Sequence, residues 1–431
     1  MERLPLLSSN STNRIKIAFF DYPDVFEDFY THYSISQTTF ADWDNTANHA
    51  WLTIIQEKIG DVTWYMNVIK PETSEIVHTK VGCKIRFIKS SLLHRMLWRL
   101  FYLPSFAWRW QRFYRFYATI ASYLSPFSYQ LSRRLFLEKP DVIFVQDYCS
   151  GRYDVLLFYA YLLNIPLITF HSGSVSYRYL GKRIKKYSIS KADYIFSSGT
   201  QETGNLINNY KVPPENTAVI RPPINMNVYQ IMEKNLACKK LGIDPTRRYL
   251  LFVGRFEDGV KRITHMIHVF QKVSEKFQDV DFILIGSGLD EHLIKSRANS
   301  LIPGRVFFTG WLKEDSQKAL YYNVAECLWL ASWREAAPAV IGESFACGTP
   351  VLSSRVGGIP DLVIPNKTGW LFEPGDDIEM LETLCTMLEI CPRNAEFREN
   401  IRNYAENLVS FRAIGEVLKS GFLSVFDPKT N

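Results

Sequence analysis

Glu335 and Glu343 have seven residues between them, AAPAVIG, all small or apolar and none charged. Acidic pairs at such a spacing usually sit on solvated helical faces, but that uncharged intervening segment leaves neither carboxylate on an evident solvated face. Carboxylates accept hydrogen bonds from neighbouring hydroxyls, which suits a pyranose or a ribose. Upstream, Gly254-Arg255 follows the apolar run YLLFV and is trailed by Lys261. At the carboxyl edge of a parallel sheet, an arginine fork and a lysine point charge suit a diphosphate, whose charge must be stabilised as it leaves. Gly286-Ser287-Gly288 after DFILI, and Gly357-Gly358 before Ile359-Pro360-Asp361, are turns at which backbone N–H groups could approach phosphate oxygens. Taken singly, each of these features is also what a solvated loop or a plain β-to-α connection would show.

The elements around these residues follow one rhythm. In the first half, IKIAFF, the helical TANHAWLTIIQEKIG, VTWYMNVI, VIFVQD, LLFYAYLLN, PLITFH and DYIFSS alternate as parallel β/α units do. From Tyr249 the pattern restarts: YLLFVGR, a helical ITHMIHVFQKVSEKF, DFILIGSG, RVFFTGW, AECLWLAS, a helix expected over Gly342 to Cys347, then PVLSS and GWLFEPGD. This is a second doubly wound sheet. Between the halves, KVPPENTAVIRPPINMNVY is rich in proline and asparagine, and it reads as a linker with neither helix nor strand. The boundary falls near Pro222, and the segment from about Asn394 to Phe426 is helical by pattern.

A chain of 431 residues with 47% hydrophobic and 22% charged residues is long enough for two folded cores. No apolar run of membrane-spanning length occurs, and the N-terminal MERLPLLSSNSTNR lacks a signal core, so the expected location is cytoplasmic. The seven cysteines form no C-x-x-C pair and read as reduced, buried thiols.

The net charge of +6 is unevenly spread, because no acidic residue lies between Glu75 and Glu138. Lys84, Arg86, Lys89, Arg95, Arg99, Arg109, Arg112 and Arg115 share that window with Trp98, Phe101, Tyr102, Trp108, Trp110, Phe113 and Tyr114. Arg95, Arg99 and Tyr102 fall on one helical face and Leu93, Met96, Leu97 and Leu100 on the other, with Pro104 interrupting. One reading is a peripheral contact of residues 84–115 with an anionic membrane surface; the other is a core helix with its arginines in water. Nucleic acid is not an expected partner, since no binding module accompanies the charge.

YLLFVGRF…KR, FILIGSG, VFFTGWL and above all EAAPAVIGESFACGTPVLSSRVGGIPDLV…TGWLF resemble the retaining glycosyltransferases of family 4 (glycosyl transferases group 1). The resemblance implies the α/β GT-B fold, two Rossmann-like domains facing each other across a cleft. It implies an acceptor-side domain over 1–221, a nucleotide-sugar-binding domain over 222–405, and a helix over 406–431 packing back on the first. Carried over by motif, Glu343 binds the ribose, Glu335 contacts the donor sugar, and Arg255 and Lys261 act on the diphosphate. Gly254, Gly286, Gly288 and the Ala337-Pro338-Ala339 segment line the donor. PLITFHSGS resembles the strand ending in a histidine that lines the family's cleft, which nominates His171 for the donor sugar or the reacting centre. The chain departs from the family in having FFDYPDVFEDFY in place of a glycine-rich loop after the first strand, and Ala336-Ala337 after the first glutamate.

The implied activity is retaining transfer from a nucleotide diphosphate sugar, a UDP-sugar first, to an unidentified acceptor that is lipid-linked or a small molecule. The nucleotide sugar is the co-substrate, and neither cofactor nor metal is expected. A GT-B phosphorylase, a nucleotide-sugar epimerase and a catalytically silent nucleotide-sugar-binding subunit share the donor-side residues and stay open as alternatives.

Overall fold

The computed structural model describes residues 14–21, 25–30, 34–43, 47–101, 111–171, 182–391 and 394–426. The chain divides into two compact units. The first contains the chain through Ser198, Glu202–Ile220 and the residues from Gly415 on; the second contains Gly199–Gln201 and Arg221–Ile414.

The first unit is built on an eight-stranded sheet of order β3-β4-β2-β1-β5-β6-β7-β8. Its strands are β1 (Ile15–Phe20), β2 (Gly60–Val68), β3 (Glu75–Val77), β4 (Lys84–Lys89), β5 (Val142–Gln146), β6 (Leu167–Phe170), β7 (Tyr194–Ser197) and β8 (Thr217–Val219). Only β3 runs antiparallel to its neighbour β4. Every residue of VIFVQ, LITF and YIFS is buried, as strands covered on both faces require. The LLFYAYLLN run belongs to the helix Gly151–Leu163, which Asn164 ends in a left-handed conformation at φ 53°. In the last helix, Phe411–Ser424, Phe422 packs on Phe144 with ring centroids 5.3 Å apart.

The expectation that KVPPENTAVIRPPINMNVY holds no regular structure is corrected here. Pro214–Asn216 form a 3-10 turn, and Thr217–Val219 pair in parallel with β7 in the register Ile195↔Thr217. Flanking prolines hide the strand signal of TAV, yet an edge strand needs partners on one side only and tolerates proline beside it.

The helix Leu92–Phe101 turns its leucines outward. Leu92, Leu93, Met96 and Leu100 are each more than half exposed, while His94 is fully buried. Phe116 and Ile120 on the following helix, Gln111–Leu124, are also exposed. Tyr102, Pro104, Trp108, Arg109 and Trp110 lie outside the described residues, as do the side chains of Arg112 to Arg115. Among the described residues no helix is long and apolar enough to cross a membrane. All seven cysteines are free; Cys83, Cys238, Cys327 and Cys347 are buried, and Cys149, Cys385 and Cys391 half-buried.

The second unit is a six-stranded, wholly parallel sheet of order β11-β10-β9-β12-β13-β14. Its strands are β9 (Arg248–Val253), β10 (Val280–Ile285), β11 (Val306–Gly310), β12 (Ala325–Leu330), β13 (Val351–Ser354) and β14 (Gly369–Phe372). Its helices are closed by local signals. Asp376 accepts from the backbone of Ile378 and Glu379 to start Asp377–Ile390, and Asn394 accepts from Phe397 to start Ala395–Val409. One expectation shifts: the helix set at Gly342 to Cys347 runs from Ala339 to Ala346, opening directly after Pro338. Ile359–Asp361 form a three-residue 3-10 turn. Parallel pairing brings the segments after β9, β10, β11, β12 and β13 to one edge of the sheet, where open α/β sheets bind ligands.

Candidate active site

The turns at that edge are laced together by backbone. Gly254 donates to Ile285 O at 3.0 Å, Phe256 to Ser287 O at 2.9 Å, and Gly286 to Gly310 O at 3.0 Å. Gly286 sits at φ +142°, and a Cβ there would lie 1.9 Å from the Gly254 carbonyl oxygen. Only glycine permits this approach of two turns.

Lys261 ends the short helix Asp258–Lys261, because Arg262 adopts a left-handed conformation at φ 56°. The Arg262 guanidinium stacks 4.7 Å above the Trp333 ring and donates to Asp377 at 2.6 Å. Trp333 N in turn donates to Val260 O at 2.9 Å. The loop after β12 is thereby strapped to the loop after β9, and the Lys261 ammonium donates to Glu335 Oε1, which also accepts from Ser332 Oγ at 2.7 Å. From the other side Gly357, at φ +54°, presses on the Glu335 backbone, while Gly358 N donates to Ala336 O at 2.9 Å. The glycine pair thus positions Glu335. Ala337 and Pro338 complete the loop, and Ala339 begins the helix that carries Glu343.

Glu343 lies in the middle of that helix and is buried, which corrects its expected position beside a helix start. Tyr322 Oη donates to its Oε2 at 2.7 Å, and the Lys318 ammonium reaches its Oε1 at 3.3 Å and Asp315 at 2.8 Å. Burial pulls the Lys318 ammonium down, but Glu343 and Asp315 outweigh it and hold its pKa above the usual lysine value. Burial, and next to it the Glu343 charge, push the Tyr322 phenol well up, so it remains a hydrogen-bond donor. Each carboxylate therefore has its own lysine, in a separate cluster. Arg255 joins neither: its side chain is 70% exposed and pairs with Glu257 at 3.0 Å.

In the first unit, the register Gln146↔Phe170 sets Asp147 and His171 side by side just beyond β5 and β6. Asp147 Oδ1 lies 3.2 Å from His171 Nδ1 and accepts from Cys149 N at 2.9 Å. Burial raises the Asp147 carboxyl, but hydrogen bonds and charge from His171, with further help from Cys149, outweigh it and hold the pKa below the usual range. Asp147, Ser332, Tyr322 and Lys318 are absent from the sequence-derived candidates. Asp147 alone carried a signal, as an acidic residue directly after an apolar strand.

The model of the glycosyl transferases group 1 family matches residues 233–408, and that of glycosyltransferase family 4 matches residues 92–228. D-inositol 3-phosphate glycosyltransferase of Corynebacterium diphtheriae is 27% identical over 304 residues, covering 65% of this chain and 70% of that protein. N-acetyl-alpha-D-glucosaminyl L-malate synthase of Bacillus anthracis is 27% identical over 204 residues, covering 47% of this chain and 51% of its own. Among solved structures, Anabaena HepE in complex with UDP superposes with a TM-score of 0.69 at 15% identity, over 95% of this chain and all of that one. Sucrose-phosphate synthase from Thermosynechococcus elongatus superposes with a TM-score of 0.68 at 17% identity, over 95% and 99%. Two Rossmann-like units of this kind define the GT-B fold. The chain has the GT-B fold and is related to the group 1 and family 4 glycosyltransferases.

Proposed function

We propose that the chain is a retaining glycosyltransferase that moves a sugar from a UDP-sugar to an acceptor hydroxyl. The carrying observation is the Lys261–Glu335 pair, a cation and a carboxylate held together at the sheet edge by three separate loops. UDP is the nucleotide bound by the structurally similar Anabaena protein, which is also known with UDP-glucose.

In this reading Lys261 and the exposed Arg255 bind the diphosphate, with the Gly254 and Gly286-Ser287-Gly288 turns beside it. Glu343 accepts hydrogen bonds from the ribose hydroxyls, Glu335 and the Ala337-Pro338-Ala339 segment contact the donor sugar, and His171 serves the sugar or the reacting centre. The bond from the anomeric carbon to the diphosphate oxygen breaks with its electron pair on that oxygen. The acceptor oxygen bonds the same face of the anomeric carbon, and its proton passes to the departing diphosphate. Arg255 and Lys261 stabilise the charge that gathers there. The reading calls for no metal ion, as the resemblance to family 4 implies.

The test is transfer from UDP-sugars by Glu343→Ala and Glu335→Ala variants. Glu343→Ala is expected to weaken UDP binding, measured by calorimetry. Glu335→Ala is expected to lower transfer chiefly, leaving UDP affinity within about threefold of wild type, a difference below ~1 kcal/mol. Small and equal effects on both measurements would sink the assignment.

A peripheral contact with an anionic membrane is the second part of the proposal. The support is the outward row of Leu92, Leu93, Met96 and Leu100 beside the exposed Arg99, in a stretch free of acidic residues. Apolar side chains at the acyl boundary with cations among the headgroups are the physics of an interfacial helix. The location is then the cytoplasmic face of a membrane, where a lipid-linked acceptor would be met.

A further inference from the structure

His171 presents an asymmetric imidazole. Its ring is buried, with 9% of its surface exposed, and the two nitrogens are treated differently. Nδ1 lies 3.2 Å from Asp147 Oδ1, whereas Nε2 is buried with no hydrogen-bond partner among the described residues. The Tyr148 ring packs against the imidazole at 5.0 Å between centroids, and the Tyr148 hydroxyl is tied to Glu202. Asp147 is anchored in turn. Its N–H donates to Phe170 O at 2.7 Å, and its Oδ1 accepts from Cys149 N at 2.9 Å.

An ionised carboxylate can only accept hydrogen bonds, so the nitrogen facing it must carry a proton. A neutral imidazole has one proton, and with it on Nδ1, Nε2 offers a lone pair. An imidazole nitrogen buried without a partner is costly, and a hydroxyl brought by a ligand would satisfy it. Asp147 itself stands at φ +74°, outside the usual conformations of a residue with a side chain. We infer that Asp147 is a positioning residue for His171: it fixes the Nδ1–H tautomer and the ring orientation so that Nε2 accepts a hydrogen bond from a substrate hydroxyl. This rests on the proposed role of His171 at the sugar or reacting centre.

Two measurements test it. In the full-length wild-type chain, nitrogen-15 NMR of the histidine side chains should show His171 protonated on Nδ1 when neutral, and the Nε2–H tautomer overturns the inference. In kinetics, Asp147→Asn should lower kcat roughly 10²-fold, the scale of an ångström's misplacement of a reacting group, while donor KM and UDP affinity stay within about twofold. Asp147→Glu should recover part of the loss. Adding Asp147→Asn to His171→Ala should cost nothing further, because the carboxylate acts only through the ring. Additive losses in the double variant, or full kcat in Asp147→Asn, overturn the inference. So does protein that carries one zinc per chain, lost in Cys149→Ser. Cys149 Sγ is 3.8 Å from the same Nδ1, and a metal bound there would take that nitrogen from Asp147. A wild-type chain that transfers from no UDP-sugar would defeat the proposed function instead, leaving the NMR result to stand by itself.

Discussion

Gly357 offers a way to move Glu335 without touching its carboxylate. A Cβ added at Gly357 would sit 1.6 Å from the Glu335 carbonyl oxygen, where contacts below 3.0 Å essentially never occur. In Gly357→Ala the Glu335 backbone must therefore retreat by about 1.4 Å, and a shift of 1 Å or more at a reacting group costs roughly 10²-fold in rate. The left-handed conformation at φ +54° adds about 1–2 kcal/mol of strain for alanine. Gly304→Ala separates the two effects: its φ is +78°, yet the added methyl meets nothing within 4 Å. Both variants should lose stability in denaturant unfolding, but Gly304→Ala should transfer sugar at the wild-type rate. Gly357→Ala should lose about two orders of magnitude in kcat and still bind UDP, since the Glu343 cluster lies apart from the glycine turn. Transfer by folded Gly357→Ala within about threefold of wild type would refute the reasoning that this turn sets the position of Glu335.

Two further outcomes follow from the first unit. Burial holds the His94 pKa down, at about 4 against 6.5, so between those values the unfolded chain takes up the proton that the folded chain refuses. Stability from this group is complete above pH 6.5 and declines as pH falls towards 4, by about 2 kcal/mol at pH 5 relative to pH 7. Denaturant unfolding at the two pH values should show His94→Leu losing that much less than wild type, and equal losses would reject it. For the membrane contact, flotation with vesicles containing anionic lipid should recover the wild-type chain. Replacing Leu93, Met96 and Leu100 by glutamine should weaken recovery at least tenfold, Arg95→Gln with Arg99→Gln should weaken it in anionic vesicles, and recovery unaffected by either set would exclude this helix as the contact.

What the sequence made legible was local. Strand, glycine turn and charged residue follow one another within a few positions in YLLFVGR and DFILIGSG, so the second unit and its sheet-edge turns could be read directly. Long-range pairing was not legible. Asp147 meets His171 only because β5 and β6 pair with Gln146 opposite Phe170, and no local pattern fixes that register. Lys318 and Tyr322 reach Glu343 from a helix more than twenty residues earlier in the chain, with ordinary helical sequence around them. Periodicity identified the helix Leu92–Phe101 as amphipathic but could not assign its inside, which packing gave to His94 rather than to the leucines. The strand Thr217–Val219 was masked by prolines that an edge position tolerates.

The ion pair between Lys261 and Glu335 makes these two charges satisfy each other. A bare anion arriving there would gain Lys261 but strand the Glu335 carboxylate, and a neutral sugar would gain Glu335 but strand the ammonium. Only a molecule that carries phosphate and hydroxyls in one covalent frame compensates both partners at once. In the proposed reading, the pair acts as a two-condition filter: inorganic phosphate and free sugar should each bind poorly, and their joined form well, before any chemistry begins.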